Sequence, residues 1–208
     1  AAQIRLHADI LSMKTLKCRC GRQMPAMELA DHAMVCNKLA CYTGIHRHDT
    51  VVNAIMACLR RHGFTVANAI TGMHAGSDKA DFTVYSLGMG GALCVDVSVT
   101  HPCAEHTVLA SATTPGAAAG KREQLKERHH GDAARRHNYV FCPWVFETLG
   151  RWGDRVTSDM KLLEHTVPDP LWFRKDMAQS IALAIQQGNA DMPAHAAGAT
   201  DRAVGPAV

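Results

Sequence analysis

The chain has 208 residues, enough for one domain with appendages, and its 47% hydrophobic content is enough for a core. Its net charge of +3 does not by itself point to a nucleic-acid partner. Eight cysteines are too sparse for a disulfide scaffold, no apolar run of about 20 residues is present, and no basic-then-apolar signal opens the chain.

Ala1 to Leu16 carries Ile4, Leu6, Ile10 and Leu11 at roughly helical spacing. We expect a short helix there, the end of an upstream segment (1–16). Because the sequence starts with alanine, we also expect it to be a fragment or the C-terminal part of something longer. Residues 17–41 hold the first chemical cluster. Cys18-Arg-Cys20-Gly21 is followed by Asp31-His32-Ala-Met-Val-Cys36. Thiolates and imidazole suit tetrahedral Zn²⁺, and in a reducing compartment such clustering reads as metal ligation. Gly21 permits a tight turn after the first pair, and His32 and Cys36 share one face of a helical turn. The one-residue gap in the first pair is tighter than a common zinc knuckle has. Cys41, His46 and His48 remain alternative ligands, and free buried cysteines are the plainer reading.

Arg47-His48-Asp49 leads into a helix over 49–62, in which Val52, Ile55, Met56 and Leu59 form a core-facing stripe. Asp49 or Thr50 would cap it and Gly63 would end it. Phe64 to Val66 is a short strand. A hairpin follows, with strands over about 80–85 and 92–99 around the glycine-rich Ser-Leu-Gly-Met-Gly-Gly. Each arm carries one aspartate, Asp81 and Asp96. Asp96 sits inside Leu-Cys-Val-Asp-Val-Ser-Val, where a charge is costly unless paired or bound to a cation. Two carboxylates meeting there would make a hard-cation site for Mg²⁺ or Mn²⁺. Solvated or salt-bridged aspartates are the plainer alternative.

Thr100 to Gly120 reads as a loop, and Lys121 to His130 as a helix charged nearly all round. Tyr139 to Cys142 is a strand and Val156 to Leu163 a helix. Asp169-Pro170 caps a last helix carrying Leu171, Met177, Ile181 and Ile185, which should stop at Gly188. Residues 189–208 should be disordered.

In this order the pieces resemble the restriction-like endonuclease domain that ends the polyproteins of early-branching, site-specific non-LTR retrotransposons. Cys18-Arg-Cys20-Gly21 with Asp31-His32-Ala-Met-Val-Cys36 is similar to that family's Cys-Cys-His-Cys knuckle. Arg47-His48-Asp49 resembles its Arg-His-Asn/Asp, Lys79-Ala80-Asp81 its Pro-Asp or Pro-Ala-Asp, and Val95-Asp96-Val97-Ser98-Val99 its Val-Asp-Val-x-Val. Thr114 to Ala119, Glu147 to Gly153 and Gln187 to Ala190 resemble the same branch. The resemblance implies an α/β, restriction-endonuclease-like fold of the PD-(D/E)xK type: a small mixed sheet flanked by helices over 42–188, preceded by the zinc knuckle. It also implies zinc on Cys18, Cys20, His32 and Cys36, and Mg²⁺ or Mn²⁺ on Asp81 and Asp96. Lys126 and Asp49 would complete the catalytic set, while Arg47, His48 and Lys79 would contact DNA. The implied activity is nicking of a genomic target so that its 3′ end primes reverse transcription. Its setting is nuclear and off the membrane, with target DNA, element RNA and an upstream reverse transcriptase as partners. The chain departs from the pattern in three places. No proline precedes Asp81, Ser98 stands where a catalytic lysine is common, and His129-His130 replaces a Lys-Tyr. Those departures favour the rival reading, a catalytically inactive, zinc-dependent nucleic-acid-binding remnant.

Overall fold

The computed structural model describes residues 15–39, 44–68, 80–85 and 92–197. The chain divides into two compact units, one of residues 1–47 with 186–208 and one of residues 48–185. In the first, strands β1 (Thr15–Lys17) and β2 (Gln23–Pro25) pair antiparallel. Helix α1 (Ala26–Val35) and a short α2 (Asn37–Leu39) follow. Its core gathers Cys18, Met24, Leu29, Ala33, Cys36 and Leu39 with Met192 and Ala196.

The second unit is built on a four-stranded sheet in the order β3 (Thr65–Asn68), β4 (Phe82–Tyr85), β5 (Ala92–Thr100), β6 (Tyr139–Glu147). β3, β4 and β5 run antiparallel, whereas β5 and β6 are parallel. A parallel pair needs a crossover, and here α4 (Val108–Thr113) and α5 (Ala117–Arg136) supply it. Side chains alternate along the strands. Leu93, Val95 and Val97 of β5 join Cys142, Trp144 and Phe146 of β6 in the main core. That core also takes Ile55 and Leu59 from α3 (Ile45–Arg61), Val156 and Leu163 from α6 (Asp154–Glu164), and Phe173 and Ile181 from α7 (Pro170–Ala196). The opposite parity of β5 (Cys94, Asp96, Ser98) faces α5, whose Lys126 reaches Asp96. The sheet is therefore mixed and flanked by helices.

The paired hairpin strands, Gly63 as the stop of α3 and the Asp169-Pro170 cap stand as read from sequence, while the glycine-rich turn over 86–91 lies outside the described residues. Gly63 has φ +86°, and the Asp169 carboxylate accepts the Trp172 N–H at 2.9 Å. Other expectations need correction. Thr15 and Leu16 are strand, not the end of a helix; residues 1–14 lie outside the described residues. Helix α3 starts at Ile45, so Asp49 is inside it and caps nothing: no breaker separates 45 from 49, and buried Arg47 tethers that turn. The loop expected over 100–120 contains α4 and the first turn of α5, since its alanines favour helix. Helix α5 is not solvated all round. Ala118, Ala119, Gly131, Ala133, Ala134 and Lys126 form a buried face. The strand read as 139–142 continues to Glu147 through Pro143, which an edge strand tolerates because no ladder donor is lost on its outer side. Helix α7 passes Gly188 and ends at Ala196, so residues 189–196 are ordered helix. Met192 and Ala196 are buried in the first unit's core, which overrides the weak local signal. Residues 198–208 of the expected tail lie outside the described residues.

Candidate functional site

In the first unit the β1–β2 turn is fixed by Gly21, at φ +95°, where a side chain is disfavoured. Gly21 N–H donates to the Cys18 carbonyl at 2.8 Å, and Cys18 N–H donates to that of Arg22 at 2.9 Å. The tight Cys-x-Cys spacing fits this turn. His32 comes from α1, and Cys36 is the residue that ends it. The thiols of Cys18 and Cys36 are 3.9 Å apart, and Cys20 Sγ lies 3.3 Å from His32 Nε2. All four ligand atoms fall within 4.8 Å of one another, so the Cys₃His group can hold a metal ion such as zinc. Burial lifts the Cys18 thiol to about 11, with the Cys36 sulfur adding to the rise. The Arg22 N–H lowers Cys20, which favours the thiolate. Burial, then the Arg22 charge, lowers His32, which keeps its imidazole neutral and able to ligate. Of the alternative ligands, His46 and His48 do not join the group. His46 Nε2 sits 3.8 Å from Asp191, His48 belongs to the other unit, and Cys41 lies outside the described residues.

In the second unit the β4–β5 register pairs Phe82 with Val95, and the Asp81 N–H donates to the Val95 carbonyl at 2.8 Å. Asp81 is thereby opposite Asp96 on one sheet face. Val97 N–H donates to Asp81 Oδ2 at 2.6 Å. Lys126 Nζ donates to Asp96 Oδ1 at 2.5 Å and to the Val97 carbonyl at 3.4 Å. Both members of the Lys126–Asp96 pair are over nine-tenths buried. Burial raises the Asp96 carboxyl above its usual range, Lys126 opposes the rise, and the Asp81 charge adds to it. Burial pushes the Cys94 thiol, on the same strand, up to about 12, with smaller contributions from Asp96 and Asp81. The acidic pair therefore forms one electrostatic cluster.

His48 links this cluster to Asp49. Its Nε2 lies 3.1 Å from Asp81 Oδ2 and its Nδ1 3.1 Å from Asp49 Oδ1. The hydrogen bond to Asp81 holds the imidazolium up to about 9. Among the described residues Asp49 meets the pair through His48, and its carboxylate is largely exposed. A cavity of about 460 Å³ lies alongside, lined by Glu123, Gln124, Glu127, Arg128, Pro143 and Arg155. Pro143 pairs with Asp96 in register.

Sequence and structure part company at the residues expected on DNA. Arg47 is 5% exposed. Its Nη1 donates to Asn189 Oδ1 at 3.1 Å and approaches Met34 Sδ at 3.3 Å. A Cβ on Gly188 would fall 2.3 Å from Arg47 Cγ, so the glycine admits the arginine. Arg47 is a buried strut, not a phosphate contact. His48 is a partner of Asp81, and Lys79 lies outside the described residues. The signal for the His48 link was its sequence neighbour Asp49, but the contact to Asp81 is long-range and carries no spacing rule. No known protein-family model matches the chain, and no curated protein matches it.

Proposed function

We propose that residues 48–185 form a restriction-like endonuclease core that nicks DNA with Mg²⁺ or Mn²⁺. We further propose that the Cys₃His unit is a zinc knuckle binding nucleic acid, in a chain of non-LTR retrotransposon origin. The observation that carries this reading is the Lys126 ammonium held 2.5 Å from Asp96, on the strand that pairs with Asp81. Lys126 supplies from a helix the positive charge that Ser98 cannot supply from the strand.

The acidic pair fits a hard cation. Asp81 Oδ1 and Asp96 Oδ2 carry no hydrogen bond among the described residues, so each carboxylate keeps an oxygen donor. A bound Mg²⁺ would polarise the scissile phosphate and activate a water. Lys126 would stabilise charge developing on the phosphate oxygens. His48 would orient Asp81, with Asp49 positioning His48. The setting that follows is nuclear, with target DNA and element RNA as ligands and a reverse transcriptase upstream.

Supercoiled plasmid with Mg²⁺ tests the proposal. Wild type should nick it, Asp96→Asn should not, and Lys126→Ala should be slower by about 10²–10³-fold. Equal nicking by wild type and Asp96→Asn contradicts it. A second reading is favoured by one observation: both carboxylates already face protein cations, His48 and Lys126. That is how a non-catalytic, zinc-dependent nucleic-acid-binding remnant would neutralise them, and DNA binding without nicking by wild type would establish it.

A further inference from the structure

Among the described residues a second group of metal-ligating side chains lies in the 48–185 unit, apart from the acidic pair. Cys58 and His62 are four residues apart at the end of α3, and Asp176 faces them from α7. Cys58 Sγ donates to Asp176 Oδ2 at 3.4 Å, and His62 Nε2 lies 3.0 Å from the same oxygen. All three ligand atoms fall within 4.8 Å of one another. Tetrahedral zinc with sulfur, nitrogen and oxygen ligands separates them by about 3.3–3.7 Å, as its bond lengths require. The Cys58–Asp176 and His62–Asp176 separations need change by only a few tenths of an ångström, and the Cys58 sulfur and His62 nitrogen lie within 4.8 Å of each other.

We propose that Cys58, His62 and Asp176 form a second, three-ligand site for a borderline-soft divalent cation such as Zn²⁺, with an open fourth position. Three features support it. The ligands are buried or nearly so: Cys58 is fully buried, and the side chains of His62 and Asp176 are 3% and 19% exposed. The imidazole is locked in place, with Trp172 at 4.2 Å and Phe173 at 5.1 Å between ring centroids. The carboxylate is also oriented from behind. Arg61 Nη2 donates to Asp176 Oδ1 at 2.9 Å, and its Nη2 and Nε reach Oδ2 at 3.0 and 3.2 Å. Nη2 also donates to Ser180 Oγ at 3.2 Å. On metal binding Oδ1 keeps Arg61, while Oδ2 exchanges its protein donors for the cation. Such outer partners orient ligands in metal sites.

The exchange balances in protons. Cys58 donates its S–H to Asp176 Oδ2, so the metal-free site carries the thiol. Coordination forms the S–metal bond and releases that proton to solvent. His62 donates Nε2–H to Asp176 Oδ2 in the metal-free site, and on metal binding that proton moves to Nδ1 so that Nε2 offers its lone pair to the cation. The fourth position falls to water or to an exogenous ligand, as in catalytic rather than structural zinc sites.

Zinc content of the full chain, purified and equilibrated with Zn²⁺ in excess Mg²⁺, tests the site. Wild type should carry two zinc ions per chain, Asp176→Asn and His62→Gln one each, and Asp96→Asn still two. The second zinc should raise the thermal midpoint of wild type but not of Asp176→Asn. One zinc per chain in wild type overturns the proposal without recourse to any variant. So does a second zinc lost in Asp96→Asn but retained in Asp176→Asn, which would place it on the acidic pair.

Discussion

The Cys₃His group and the acidic pair solve opposite problems. Cys18, Cys20, His32 and Cys36 face one another, with all four ligand atoms within 4.8 Å. Asp81 and Asp96 already have cations, His48 and Lys126, within hydrogen-bond distance. If the first arrangement holds a metal, that metal would become part of folding, because a small unit with a core of this size would gain much of its stability from the ion. The second lets the sheet fold with a buried Asp96 and a half-buried Asp81 and leaves oxygens spare for a ligand added later. Folding and metal binding should therefore be coupled in one unit and separable in the other.

The largest effect should come from breaking the first arrangement. Metal affinities of structural zinc sites correspond to about 10–16 kcal/mol, so chelation or Cys36→Ser should abolish zinc binding there and unfold the unit. Hydrogen exchange should then accelerate over residues 15–39 while β5 and β6 keep their protection. Uniform loss across both units would erase the contrast.

Next in size is Lys126→Met. Removing one partner of a buried ion pair leaves an uncompensated charge and costs about 3–5 kcal/mol. The sign with pH sharpens this. Burial already raises Asp96 in the folded state, and losing Lys126 raises it further. A carboxyl raised on folding is favoured in its protonated form, so stability falls as pH rises from the unfolded value through the folded one. Denaturant melts of Lys126→Met should thus recover toward wild type at acid pH. The double variant Asp96→Asn/Lys126→Met should recover at neutral pH, since no charge is left unpaired.

The smallest effect belongs to His48. Its folded value of about 9 lies above the unfolded 6.5, owing chiefly to the hydrogen bond with Asp81. Its contribution is complete below 6.5 and is lost as pH rises through 9. Wild-type stability should decline over that window, and His48→Ala should flatten the decline. An unchanged slope in the variant would remove the His48–Asp81 pair from the electrostatic account.

Much of this contrast was legible in the chain. The hairpin showed because β-branched runs around glycines carry a local signal, and the Cys₃His group showed because its members lie within 19 residues of sequence. The cation partner Lys126 was legible only through resemblance. What periodicity could not show was contact at long range. Arg47 reads as a basic residue beside a histidine, yet Asn189 and Gly188, over 140 positions later, bury it. Asp176 likewise meets Cys58 and His62 across 114–118 positions, and only the i, i+4 spacing of the latter two was visible. Helix α7 ran past Gly188 because burial of Met192 and Ala196 outweighs the local cost of a glycine.

The central claim is that the Asp81–Asp96 pair takes a hard divalent cation while the rest of the protein stays folded. Mn²⁺ titration followed by electron paramagnetic resonance tests it most directly. Zinc-loaded wild type should bind one Mn²⁺ per chain at this pair. Asp81→Asn and Asp96→Asn should each lose it while keeping their zinc and a cooperative thermal transition, lowered in Asp96→Asn because Lys126 loses its partner. Mn²⁺ binding left unchanged by both substitutions, or absent from folded wild type, would contradict the claim.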